Sequence, residues 1–230
     1  MKAIIIMACG TLFAAAVAPP QPPVKGSQRV YRGQPFEYVV RIITFMALTI
    51  VTAAFFCFAT SILVTSSPSL HPIYPYLCPA GTHASASITS YSPRFALGAA
   101  FICGGSLLRL WAKHTLGSLF TYEVAIVKGH SLVQSGPYAW VRHPGYTGMI
   151  IVIAGTHLMH FGSGGYVTEC DLASSRVGFL RYVWSTLAAF VVLSLSWRTR
   201  AEDAALLMYF GCAWEEYRER VPYALLPGLI

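Results

Sequence analysis

Five stretches of this chain are continuously apolar, and segments rich in polar and turn-forming residues separate them. They cover residues 3–18, 39–64, 95–112, 147–161 and 177–197. A helix that spans a bilayer needs about 20 apolar residues, fewer where it is short or re-entrant. Each run therefore predicts a membrane helix, although the fourth is short. The second run holds only Arg41 near its start, the third is interrupted by Arg109, and the fifth carries Arg181 near its beginning. Segment 65–94, dense in Ser, Pro and Thr, reads as an irregular connection. No internal repeat is evident.

The first run also fits a secretory signal, with Lys2, an apolar stretch and Ala16-Val17-Ala18 as a small-residue site. Cleavage there would make Pro19 the first mature residue, which suits cleavage poorly. It would also leave Lys25, Arg29 and Arg32 outside the cytosol, against the positive-inside tendency. A retained helix is the expectation.

Charge then orients the five spans. Segments 19–38, 113–146 and 198–230 fall on one side and carry Lys25, Arg29, Arg32, Lys113, Lys128, Arg142, Arg198, Arg200, Arg218 and Arg220. The opposite segments, 65–94 and 162–176, carry only Arg94 and Arg176. The basic side is cytosolic by the positive-inside tendency, so the C-terminal tail is expected in the cytosol. Composition agrees with a membrane protein: 55% of the 230 residues are hydrophobic and 11% charged, against about a quarter charged in soluble domains. The net charge of +7 sits between apolar runs, with no basic stripe or stacking platform, so lipid headgroups explain it and nucleic acid does not.

The six cysteines form no CxxC pair, which argues against a zinc knuckle. Cys9, Cys57 and Cys103 lie within apolar runs and read as small buried hydrophobes. Cys78 and Cys170 fall in the two loops expected outside the cytosol, and the sequence leaves their pairing open. His157 and His160 form an HxxH pair at the far end of the fourth run, where helix-packing polarity is a better reading than a metal site.

Three cytosolic pieces carry candidate chemistry. Residues 116–133 read LGSLFTYEVAIVKGHSLV. Residues 136–148 read GPYAWVRHPGYTG, a dense cluster of turn formers, Arg142, His143, Tyr138 and Tyr146 at the mouth of the fourth apolar run. Turn chemistry accounts for its Gly and Pro, but not for the rest. Residues 197–230 begin WRTRAEDAALLMYFG. Arg198 and Glu202 are four apart and share a helix face, which also fits a plain helix-end ion pair with snorkelling arginines. The EEYRER run, residues 215–220, reads as a solvated helical face, with Trp214, Tyr217 and Val221 placed to lie on the membrane surface.

Together these pieces resemble the isoprenylcysteine carboxyl methyltransferase family, within the wider group of integral-membrane phospholipid methyltransferases. The matching stretches are His130-Ser131-Leu132-Val133, the GPYAWVRHPGY of residues 136–146, the RTRAEDAAL of residues 198–206, Phe210-Gly211, Tyr217 and the ending VPYALLPGLI. They cover about residues 107–230, roughly half the chain. The resemblance implies an all-α, polytopic integral membrane protein of the endoplasmic reticulum. About five transmembrane helices would carry a cytosolic C-terminal catalytic region, with residues 1–106 as N-terminal spans and loops and 107–230 as the methyltransferase region.

It also implies S-adenosylmethionine as methyl donor and the carboxylate of a prenylated C-terminal cysteine, held among membrane lipid, as acceptor. By position, His130, Ser131, Leu132, Val133, Tyr138, His143, Pro144, Gly145, Tyr146 and Glu202 would line the cofactor site, and Arg198 would hold the acceptor carboxylate. Arg198 and Glu202 are thus the expected catalytic pair. Two residues depart from the family pattern. Asp203 stands where a second Glu is usual, and Gly145 stands where Ser is commoner and is expected to loosen the turn. Competing readings are a lipophilic amine N-methyltransferase, a membrane reductase sharing an RHxxY-like segment, and a non-catalytic adaptor. Arg198 disfavours the first, since a cation suits a carboxylate acceptor. The Arg198, Glu202 and Phe210-Gly211 pattern disfavours the second, and the presence of every needed charge disfavours the third.

Overall fold

The computed structural model describes residues 1–23, 33, 35–126, 129–172, 174 and 178–228, and no strand occurs among them. Lys25, Arg29, Arg32, Lys128 and Arg176, used above for orientation, lie outside the described residues, as does the first residue of the fifth run. Six longer helices make the frame: α1 Lys2–Val17, α2 Phe36–Thr65, α3 Pro93–Leu116, α4 Pro144–His160, α5 Phe179–Phe210 and α6 Cys212–Arg220. Of these, α2 and α3 (the latter with its 3-10 extension to Leu119) are long and apolar enough to cross a bilayer. Their outer faces stay greasy: Phe45, Phe56 and Leu63 of α2 and Leu97 and Leu107 of α3 are exposed.

Local chemistry sets several helix ends. Ser92 caps α3, its hydroxyl accepting the Phe95 N–H at 3.1 Å, and Pro93 opens the first turn. Pro144 does the same for α4. Gly211 stops α5 at a φ of +55°, a backbone region that glycine enters without steric cost.

Helices α3 and α4 form the tightest pair, and glycines make the approach. A Cβ built on Gly105 would sit 2.7 Å from the Gly148 carbonyl oxygen, and one on Gly148 2.7 Å from that of Gly105. Gly98 and Gly155 repeat the contact two turns away. Small residues at this spacing let two backbones touch, which is how apolar helices associate in lipid. Helix α1 packs on α2 and α3, burying Ile6, Phe13 and Val17 against Phe55, Phe58 and Ile102. Its carboxyl end is held from within: Arg109 Nε donates to the Ala16 carbonyl at 2.8 Å, and Lys113 Nζ to those of Ala15 and Ala18 at 3.0 and 2.7 Å.

Several sequence expectations change. Segment 65–94 is not irregular: it is a string of short helical turns, Pro68–Ile73, Tyr74–Leu77, Gly81–Ala84 and Ser85–Thr89. Its Cys78 is disulfide-bonded to Cys170, with Cα atoms 4.5 Å apart, and Tyr166 donates its hydroxyl to the Leu77 carbonyl at 2.6 Å beside it. Helix α5 runs past its apolar run at Trp197 to Phe210, as a shared helix face for Arg198 and Glu202 requires. At 1.5 Å per residue its 32 residues reach about 48 Å, well beyond the roughly 30 Å of a bilayer core. The two histidines of HxxH diverge: His157 stacks on Phe161 at 4.9 Å, whereas His160 packs edge-on to Phe55 at 4.6 Å.

Candidate active site

The turn of residues 136–148 lies under the C-terminal tail, and backbone pairing joins them. The Arg142 and His143 amides donate to the Tyr223 and Ala224 carbonyls at 3.0 and 2.9 Å. Thr147 Oγ1 donates to the Leu225 carbonyl at 2.7 Å. Asp203, from the stretch of α5 beyond its apolar run, fastens the same turn. Arg142 reaches its Oδ2 through Nη2 and Nε at 3.0 and 3.2 Å, and His143 Nε2 lies 2.7 Å from its Oδ1. Burial pushes the Asp203 carboxyl up, but His143 and then Arg142 outweigh it and hold it below its ordinary value. Asp203 is therefore the keystone of the turn.

Glu202, its neighbour, faces elsewhere. The Tyr146 hydroxyl donates to its Oε2 at 2.6 Å, and His143 Nδ1 lies 3.9 Å from the same oxygen. The His143 and Tyr146 rings stack in parallel at 5.5 Å. The helix-end ion pair between Arg198 and Glu202 is not formed, because Arg198 turns to Glu37 of α2, with Nη1 and Oε1 3.2 Å apart.

Two cavities meet at this point. The first, of about 860 Å³, is partly polar. Nine of the ten residues expected to line a cofactor site border it: His130, Ser131, Leu132, Val133, Tyr138, His143, Gly145, Tyr146 and Glu202. The tenth, Pro144, is buried behind them at the start of α4. Glu123, Arg142, Trp214 and Tyr217 also border it, and the sequence reading had not placed them there. The second cavity, of about 1010 Å³, is apolar and lies between α2 and α5, with Phe36, Ile43, Ile50, Trp184 and Val191 among its walls and Arg198 at one end. Phe120, Thr121 and Tyr146 border both.

One face of α5 runs through both spaces. Trp184, Leu187, Val191, Leu195 and Arg198 follow one another at helical spacing along the apolar cavity. One turn further, Glu202, Ala205 and Leu206 enter the polar one. The change from grease to charge occurs within one turn, between Leu195 and Arg198.

Other residues sit differently from their sequence reading. Gly145 is not a loose point. Its carbonyl accepts from Arg109 Nη1 at 2.7 Å, and an added Cβ would lie 3.1 Å from Phe120 Cε2, tighter than an ordinary contact. Trp214, Tyr217 and Val221 do not lie on a surface. They are 1%, 3% and 6% exposed and pack on Leu132, Leu206, Leu207 and Phe210, forming a roof over the polar cavity. The Tyr217 hydroxyl donates to the Tyr138 carbonyl at 2.8 Å and ties that roof to the turn. His130 packs on Phe210, ring centroids 5.8 Å apart, and its Nδ1 is buried with no partner. Burial holds the His130 ring below its ordinary pKa, against the opposing charge of Glu202. Arg109, read only as an interruption, is 4% exposed and bridges α1, Gly145 and the Tyr122 hydroxyl.

Comparison with known proteins agrees with the motifs. Residues 97–169 match the family model for the isoprenylcysteine carboxyl methyltransferase (ICMT) family. A protein-S-isoprenylcysteine O-methyltransferase of Schizosaccharomyces pombe is 36% identical over 124 residues, 53% of this chain and 45% of that protein. The Homo sapiens enzyme of the same name is 34% identical over 123 residues, 53% of this chain and 37% of its own. The uncharacterized protein YpbQ of Bacillus subtilis is 33% identical over 111 residues, 48% of this chain and 55% of that protein. The chain thus spans about half the length, or less, of these curated relatives. The family match stops short of Arg198 and Glu202. Over residues 97–169 the chain carries the pattern of the isoprenylcysteine carboxyl methyltransferase family, as its motifs implied.

Proposed function

We propose that this protein methylates the C-terminal carboxylate of prenylated cysteine, with S-adenosylmethionine as donor, in the endoplasmic reticulum membrane. The proposal includes about five membrane segments, a cytosolic C-terminus, and the division into spans over residues 1–106 and a methyltransferase region over 107–230. One observation carries it: a polar cavity containing Glu202 meets an apolar one ending in Arg198, and Tyr146 lines both. A charged donor and a lipid acceptor need such adjoining spaces, one reached from water and the other from the bilayer.

The residues of the polar cavity suit the cofactor. The side chain of Glu202 is 33% exposed and suits an ammonium group. The unpartnered His130 Nδ1 offers a hydrogen-bonding position. When bound, S-adenosylmethionine supplies an electrophilic methyl group on a sulfonium: a carboxylate oxygen bonds to that carbon as the carbon–sulfur bond breaks, leaving a methyl ester and a neutral thioether. The acceptor is already ionised at neutral pH, so no general base is needed. The chain's work is alignment and exclusion of water. Arg198 orients the carboxylate, the Tyr146–Glu202 hydrogen bond fixes the wall between donor and acceptor, and Trp214 and Tyr217 close the roof. From Arg198 to Trp184 the apolar cavity follows α5 for about 21 Å, a length suited to an extended prenyl chain.

An amine N-methyltransferase would need an uncharged nucleophile, and the buried guanidinium at the acceptor end disfavours an amine. The discriminating experiment is transfer of a radiolabelled methyl group from S-adenosylmethionine in membranes containing the protein. Label on a farnesylated cysteine analogue and none on phosphatidylethanolamine is the expected result, and the converse refutes the proposal.

A further inference from the structure

Helix α2 lies outside residues 97–169 of the family match, yet two of its charges pair with residues that border the cavities. Arg41 pairs with Glu123 at 2.8 Å, and Glu37, one turn earlier, meets Arg198 at 3.2 Å. Glu37 and Arg198 are 6% and 2% exposed. The contact is between charges without an aligned hydrogen bond, since Glu37 Oε1 has no hydrogen-bond partner. Arg198 Nε is likewise buried and unpartnered. With Nη1 turned to Glu37, the guanidinium keeps its Nε edge unused, and that edge is one that can hold a carboxylate by two parallel bonds.

The reaction makes such an arrangement useful. Methylation consumes the negative charge of the acceptor. A bare cation would stabilise the ionised acceptor more than the transition state, where that charge is already dispersing, and so would slow the chemical step. A fixed carboxylate beside the cation reduces this excess while leaving the fork to orient the acceptor.

We infer that Glu37 is a positioning residue for Arg198: it turns the unused Nε edge toward the acceptor carboxylate and offsets the guanidinium charge, so that the acceptor is held without losing its nucleophilicity. This rests on the reading of Arg198 as the acceptor-binding residue. It makes Glu37, on a helix the family match does not reach, a determinant of turnover.

The test is Glu37→Gln, which keeps the shape and removes the charge, measured in the full-length protein in detergent or nanodiscs. Steady-state kinetics use N-acetyl-S-farnesylcysteine. Binding is measured for a non-reactive farnesylcysteine carboxylate analogue and its carboxamide, and for S-adenosylmethionine. The expected result is a split: KM and the carboxylate dissociation constant fall by about threefold or more while kcat falls by about tenfold. Affinity for the carboxamide and for S-adenosylmethionine stays unchanged. Glu37→Asp keeps the charge but draws it back by one methylene, so it moves the same quantities in the same direction by less, and it serves if the Gln variant does not accumulate. Unchanged kcat and KM, or equal shifts for carboxylate and carboxamide, would overturn the inference and leave Glu37 a structural counter-ion. The wild-type protein tests the underlying reading separately, because equal affinity for carboxylate and carboxamide would sink Arg198 as the acceptor residue whatever Glu37 does.

Discussion

Replacing Glu202 by Gln isolates one charge at the meeting point of the two cavities. The substitution keeps the side-chain length and can still accept the Tyr146 hydroxyl bond of 2.6 Å. The wall formed by Tyr146 should therefore stand. What is lost is a carboxylate facing the polar cavity. A charge-assisted hydrogen bond contributes about 1.5–3 kcal/mol, and the third of the Glu202 side chain open to solvent argues for the lower end of that range, because water screens exposed pairs. About 1.5–2 kcal/mol corresponds to a 10- to 30-fold weaker dissociation constant for S-adenosylmethionine, at roughly 1.4 kcal/mol per tenfold. Arg198→Lys is the companion variant. Arg198 borders the apolar cavity and Glu202 the polar one, so Lys, which keeps the charge but loses the planar fork, should spare cofactor affinity and reduce turnover on the prenylcysteine acceptor. Calorimetric titration of S-adenosylmethionine and of its demethylated product, beside methyl-transfer kinetics, reads both effects. Equal loss of cofactor binding in the two variants would refute the division of labour and make the α5 charges a single structural unit.

Two further outcomes follow from packing and charge. Gly148→Ala should separate α3 from α4, because its Cβ would meet the Gly105 carbonyl at 2.7 Å and the Arg109 backbone nitrogen at 2.9 Å; about 1–3 kcal/mol of destabilisation is expected, read as a lower melting temperature in detergent, and an unchanged melt would disprove the close crossing. Asp203→Asn should cost about 2 kcal/mol by weakening the contacts to Arg142 and His143. The sign with pH follows from its lowered pKa. The stabilisation is complete above the unfolded value of about 4 and is lost as pH falls through the lower folded value, so the wild-type melting temperature should drop below about pH 4 and the Asn variant should lack that share of the drop. Parallel pH profiles of the two proteins would contradict this.

What could be read from the sequence was local or periodic. The turn of residues 136–148 announced itself through Pro, Gly and the polar residues between them, and nine of the ten residues carried over from the family pattern do border one cavity. Asp203 was noted only as a departure from a second Glu, because nothing in a linear pattern shows that a shorter acid must reach two neighbours on a separate turn. One further signal lies in the glycines at 98, 105, 148 and 155, which recur two turns apart in two apolar runs and so share one face of each helix. Residues 198–210 carry helix formers up to Gly211, and the helix on which Arg198 and Glu202 share a face runs that far.

The charged contacts were harder to read for a physical reason. Periodicity says which residues share a face, but not what covers that face. Trp214 and Tyr217 of α6, with Val221 just past its end, form an apolar stripe, and a lipid surface and a protein surface satisfy such a stripe equally well. The turn at Gly211 decides between them by folding α6 back so that Leu206, Leu207 and Phe210 supply the cover. The same ambiguity hid Glu37. An acidic residue at the first turn of an apolar helix fits a favourable helix-dipole position on its own, so it asks for no distant partner. Only the packing of α2 beside α5, with Phe36 and Phe190 ring centroids 6.0 Å apart, brings that carboxylate to Arg198. A buried arginine at the end of a greasy cavity does ask for a partner, because an uncompensated charge there is costly. The question to put to such a sequence is therefore which group answers each cation in or beside an apolar run: Glu37 answers Arg198 and Glu123 answers Arg41, whereas backbone carbonyls answer Arg109.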